Sequence, residues 1–191
     1  MITVFSQNRS DIPGTPGDMP AQPDAVSVAL EASVSNDRAQ AMIRASWGLV
    51  ESYTGRNFWP VTGATAIADL AEPGELQWPR HPFPAAITVQ RWQGSAWEAA
   101  SVSYIPELGV ITGLSAGRLK LAQVGTITPE PPNAYVIEAA RALALYQLIH
   151  SPARREFRTM STGDSTLTRE ALDGLFRASG AGVLLAGLVR W

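Results

Sequence analysis

The side chains with the most chemistry to offer are two histidines, His81 and His150, and both stand close to prolines that interrupt regular structure. A Ser-His-Asp hydrolase needs an imidazole held by a carboxylate and touching a nucleophile. Ser161, Asp164 and Ser165 supply the right groups, but no Gly-x-Ser-x-Gly turn surrounds them, so they read as solvated loop residues. Metal chemistry has no better footing. The sequence holds no His-x-x-x-His and no acidic loop with calcium-site spacing, and the absence of cysteine removes thiolate sites and disulfides alike. Gly113 and Gly117 stand close together without the Gly-x-x-x-x-Gly-Lys frame of a phosphate loop, and read as a hairpin turn. These residues predict a protein that is not an enzyme and uses no cofactor or metal.

The remaining candidates bind rather than react. Trp78, Trp92 and Trp97 fall in one region; on one face they could stack sugars or bases, and otherwise they pack a sheet. Arg154, Arg155 and Arg158 can contact DNA phosphates or a partner's carboxylates, or sit as a solvated helix end favoured by the macrodipole. General nucleic-acid binding is not expected from a net charge of −2 and a pI of about 5.7. Val183, Leu184, Leu185, Leu188 and Trp191 form an apolar tail. It follows a polar linker and two glycines, and either folds back on its own core or needs a partner to cover it. The apolar run Ala181 to Val189 is nine residues, too short for a bilayer, and residues 1–24 lack a signal-peptide pattern. A soluble protein made in the cytoplasm, with no membrane partner, is the expectation. Arginine outnumbers lysine by 14 to 1, in keeping with a GC-rich bacterial genome.

Two helices must position these groups. Ala39, Met42, Ile43, Ser46, Trp47, Val50 and Tyr53 recur at helical spacing, which predicts a helix over 36–58 with Ser35 or Asn36 as cap, Gly55 at its exit and Glu51 on the solvated side. Asn133 to His150 reads as a second, apolar around nearly its whole circumference and stopped by Pro152. A helix apolar all round needs cover on several sides, and a neighbouring subunit can supply part of it. Residues 61–127 alternate in short runs between glycines and prolines, as a small antiparallel sheet should. Met1 to Phe5 can add as an edge strand to a sheet or to a neighbouring subunit. Six prolines and glycines between Pro13 and Pro23 then forbid a regular ladder. Asp24 to Val34 alternates like a strand, yet Asp24 is a good N-cap. Leu167 to Ala178 can form a short amphipathic helix.

The first helix closes in Glu51-x-Tyr53-Thr54-Gly55-Arg56-x-Phe58, and a β-rich stretch and a second apolar helix follow. This order resembles the head–tail connector (adaptor) family of long-tailed bacteriophages and gene transfer agents, over roughly Asp37 to Arg155. The resemblance tips Asp24 to Val34 towards a short helix. Together with the residues it leads to an α+β fold of two principal long helices with a small antiparallel β-insert and extended N- and C-terminal arms, although the Pro- and Gly-rich N-terminal arm departs from the family, which usually has a short helix there. The expected division is an arm over 1–23, a connector domain over 24–158, and a linker with docking segment over 159–191. It also implies a structural role at the head–tail junction of a virion or phage-like particle: a ring of about twelve copies between the portal protein and a tail-side (stopper) component. DNA would pass through without sequence-specific binding, as the mild acidity allows. On this reading Val183, Leu184, Leu185, Leu188 and Trp191 dock on the portal. Tyr53, Arg56, Tyr135, Ile137 and Arg141 face neighbouring subunits, and Arg154, Arg155 and Arg158 touch DNA or the portal. The alternative is a carbohydrate- or nucleic-acid-binding module built on a tryptophan-rich sheet face.

Overall fold

The computed structural model describes residues 1–9, 22–155 and 173–189. The chain divides into two compact units: a β unit, made of the N-terminal strand and Arg56–Glu130, and a helical unit on either side of it in sequence.

In the β unit, β1 (Ile2–Arg9), β2 (Val61–Leu70), β8 (Gly117–Val124), β4 (Ala86–Trp92) and β5 (Trp97–Ala99) lie side by side in that order, and β9 (Thr126–Ile127) also pairs with β2. A second sheet runs β3 (Gly74–Gln77), β7 (Val110–Leu114), β6 (Ser103–Ile105). All pairs are antiparallel. The sheets share one core. Ala64, Ala66, Ala68, Val89, Leu119 and Leu121 from the larger sheet meet Ile111 and Leu114 from the smaller, with Trp78 among them. Met1 to Phe5 does add as an edge strand, to its own sheet, and β1 carries two register shifts along β2. Such irregularities discourage further strands from adding to an edge. Inside the unit, Gln123 satisfies its amide by donating to the Val61 (2.7 Å) and Gly125 (2.8 Å) carbonyls.

In the helical unit, α1 (Ala25–Ala32) begins where the Asp24 carboxylate accepts from the Val26 and Ser27 backbone N–H groups, both at 3.1 Å. This resolves Asp24 to Val34 as a helix. The long α2 (Asn36–Thr54) is capped by Ser35 and leaves through Gly55 at φ 64°, the left-handed exit that the glycine permits. Along it lies α3 (Ala134–Arg155), with α1 packed on both and α5 (Ala181–Leu185) on α3; helix α4 spans 173–179. Trp47, Ile43 and Val50 from α2 are buried, as are Val136, Ala139, Ala140, Leu143, Ala144 and Leu148 from α3.

The expected fold of two principal long helices with a small β-insert is overturned. Among the described residues there are nine strands in two antiparallel sheets and five helices, three of them of eight residues or fewer. The strands are no insert, because they carry their own core and recruit the N-terminal residues to it. Alanine fills three of the inward positions on β2, and alanine is a weak strand signal, so the sheet looks slighter in sequence than it is. Two smaller differences accompany this one. Glu51, expected on the solvated side of α2, is fully buried. The backbone of α3 continues past Pro152 to Arg155, since a proline withholds one N–H without forbidding helical dihedrals.

Candidate assembly surfaces

The apolar C-terminal segment is partly anchored. After α4 and the turn at Gly180, Ala181 and Leu185 are fully buried in the helical unit. The intervening positions differ: Val183 is 84% exposed, and Leu184 and Leu188 are half-buried. Helical spacing explains this, because residues four apart share a face and those between them do not. Trp191 lies outside the described residues. Phe176 on α4 is fully buried and stacks on Tyr53 near the end of α2, with ring centroids 3.9 Å apart. Tyr53 is therefore engaged within its own unit through at least one ring face.

Arg141 on α3 is also engaged. It pairs with Glu31 of α1 and, one turn back on its own helix, with Glu138 at 3.1 Å. Tyr135 at the start of α3 projects to solvent, 66% exposed, and Ile137 is half-buried. Ser46 on α2, buried, accepts from the Gln147 side-chain amide at 3.1 Å. Arg154 and Arg155 fall in the last turn of α3, and Arg158 is outside the described residues. Arg56 opens the β unit, where its backbone bridges to His81 and the neighbouring Asn57 N–H donates to the His81 carbonyl at 2.7 Å. The motif Glu51 to Phe58 thus straddles the point at which the chain passes from one unit to the other.

The residues with chemical potential are not gathered into a site. His81 lies edge-on to Phe83 at 5.1 Å in the β unit, and His150 lies 4.8 Å from Tyr146 on α3. Ser161, Asp164 and Ser165 fall outside the described residues. No cluster of three His, Asp or Glu that could hold a metal occurs among the described residues, and none of their helices is long and apolar enough to cross a membrane. A groove of about 250 Å³ at the start of α1 and α2 is lined by Asp24, Asn36, Gln40, Ile43 and Arg44, smaller than most cofactor pockets.

Nor do the tryptophans form a platform. Trp78 is buried, edge-on to Phe5 at 6.0 Å, and the Arg80 guanidinium lies over that same phenyl ring, its pKa lowered by burial. Trp92 and Trp97 pair across the β4–β5 hairpin at 5.3 Å but are tilted by 59°. Rings tilted in this way lock a hairpin well and share no common plane on which one sugar or base could lie against both.

The chain is similar in fold to a chain from a particle neck. That chain belongs to the neck of an empty GTA particle computed with C6 symmetry; the match covers 93% of this chain and 95% of that one, at a TM-score of 0.50 and 11% identity. Two further matches are a chain from the virion of a native gene transfer agent (GTA) particle (92% and 94% covered, TM-score 0.46, 12% identity) and one from the neck of a native GTA particle computed with C12 symmetry (91% and 94%, 0.40, 15%). At 11% identity the first is a likeness of fold, and the two lower scores add nothing to it. No protein-family model and no curated protein matches the chain.

The partners of Arg141 and Ser46 were not legible in sequence. Glu31 stands 110 positions from Arg141 and Gln147 stands 101 from Ser46, and no local pattern links residues so far apart. Phe176 did carry a signal, since it falls within the short amphipathic helix expected over Leu167 to Ala178.

Proposed function

We propose that this chain is a structural head–tail adaptor, one subunit of a ring of about twelve copies between a portal and the tail-side components of a phage-like particle. The observation that carries the reading is the shared fold, nearly end to end, with a chain from a GTA particle neck computed with C6 symmetry. The motif Glu51 to Phe58 supports it independently, because that resemblance rests on residues and not on backbone shape.

In this reading the chain is structural, not catalytic. Val183, with Leu184 and Leu188 beside it, meets the portal, while Leu185 anchors the segment in its own core. Tyr135 and Ile137 face a neighbouring copy. Tyr53 and Arg141 act from behind that surface, through Phe176 and Glu31, to hold the helices in place. DNA passes through the ring without sequence-specific contacts.

The experiment is electron microscopy of the chain mixed with portal rings from the same source. An added annular layer supports the adaptor role; a chain that leaves the portal bare refutes it.

A further inference from the structure

The larger sheet of the β unit has a second face, turned away from the shared core, that none of the surfaces above uses. Strand register identifies it. Val4, Ile67, Lys120 and Gln90 form one row across β1, β2, β8 and β4. Ala66, Ala68, Leu119, Leu121 and Val89, which alternate with them, are buried in the core, so this row points outward. The next row is Ser6, Thr65, Ala122 and Thr88, small side chains throughout. Val4 is 54% exposed, Val124 48% and Trp92 38%. One unpaired charge interrupts the face. Lys120 is the only lysine in the chain and has no ion-pair partner among the described residues, whereas Arg118 at the margin is held by Asp69 at 2.9 Å.

Across the core, on the smaller sheet, the turn between β6 and β7 presents Ile105 and Leu108, 41% and 57% exposed, on either side of Glu107. The turn is braced. The Leu108 N–H donates to the Ile105 carbonyl, the Gln77 side-chain amide to the Leu108 carbonyl, and the Trp78 N–H to the Gly109 carbonyl at 2.8 Å. Glu107 has no ion-pair partner among the described residues either.

We propose that these two surfaces are the halves of a head-to-tail contact between copies of this chain. The Ile105–Leu108 turn of one copy seats on the outward sheet face of the next, and Glu107 pairs with Lys120. The surfaces are complementary in charge: each carries one charged side chain without an ion-pair partner among the described residues, and the two charges are opposite. Lying on different sheets, they remain available in pairs however many copies have joined, as heterologous contacts require. A braced turn loses little conformational entropy on docking, and one charge pair among short and apolar side chains fixes the register. The proposal rests on the ring reading in one respect, since it names that ring's copy-to-copy contact.

Zero-length carbodiimide coupling tests it, applied to the full chain alone and with portal rings, with the products mapped by mass spectrometry. Because Lys120 is the only lysine, it competes only with the N-terminal amine. The expected result is a ladder extending past dimer whose joining peptide links Glu107 to Lys120. Leu108→Asp, which leaves both coupling groups in place on an exposed turn, lowers the yield roughly ten-fold or more. The charge exchange Glu107→Lys with Lys120→Glu restores coupling that either reversal alone removes. Coupling of Lys120 to another carboxylate, a yield indifferent to Leu108→Asp, or no ladder in either setting overturns the contact. A portal layer without this coupling removes the contact and leaves the adaptor role; the coupling without a portal layer does the reverse.

Discussion

Tyr53 and Phe176 stack ring on ring, 3.9 Å between centroids and 7° from parallel, and join the end of α2 to a helix more than a hundred residues later in the chain. Phe176 is fully buried and Tyr53 is half-buried, so the stack fastens the C-terminal helices to the helical core. Phe176→Ala removes the ring and leaves a cavity, with an expected loss of about 3–5 kcal/mol. Urea unfolding followed by far-UV circular dichroism measures it. Tyr53→Phe keeps the ring and is expected to unfold close to the parent.

Gly109 tests the braced turn of the β unit. Its φ is +65°, and a Cβ there would lie 2.4 Å from the Phe83 ring. Gly109→Ala therefore combines left-handed strain of about 1–2 kcal/mol with overpacking of about 1–3 kcal/mol. A lowered melting temperature is the expected outcome. An unchanged one would mean that the ring is free to move aside.

The Arg141 pairs with Glu31 and Glu138 are half-exposed, and exposed ion pairs contribute little. Arg141→Met is expected to cost under about 1 kcal/mol at low salt and less still at high salt. Denaturant titrations at two ionic strengths check both statements. A larger loss, insensitive to salt, would assign Arg141 a packing role instead.

Tyr104 donates its hydroxyl to the Pro84 carbonyl at 2.7 Å, and its pKa is pushed up to about 12, first by desolvation and then by the nearby Glu107 carboxylate. The folded pKa exceeds the ordinary phenol value of 10, so the folded state holds its proton longer than the unfolded state. This contribution is complete below pH 10 and is lost as pH rises towards 12. Ultraviolet titration should find a phenolate step near pH 12 that is missing in Tyr104→Phe.

The sequence was most legible where one element carries its own periodic signal. The stripe from Ala39 to Tyr53 located α2 and its caps, and the alternation over 61–127 marked the stretch that holds β2 to β9. Architecture was less legible, because alternation reveals a strand but not its neighbour. Nothing in Ile2–Arg9 announces β2 as its partner, and β8 falls between β2 and β4 despite following both in the chain. Burial of a charged residue was hidden for a similar reason. Glu51 falls off the apolar stripe of its helix, and only packing from elsewhere encloses it. The apolar tail looked uniform in sequence; the helical turn of α5 divided it into buried Leu185 and exposed Val183.

The adaptor role is tested most directly by imaging portal rings from the same source after mixing with the full chain and with Val183→Asp. Val183 is 84% exposed, so the substitution leaves the buried anchors Ala181 and Leu185 in place. The expected result is a closed annular layer on the tail side of the portal, formed by the parent chain and absent with Val183→Asp. Bare portal rings with the parent chain would contradict the adaptor role, and an undiminished layer with Val183→Asp would remove the tail from the docking surface.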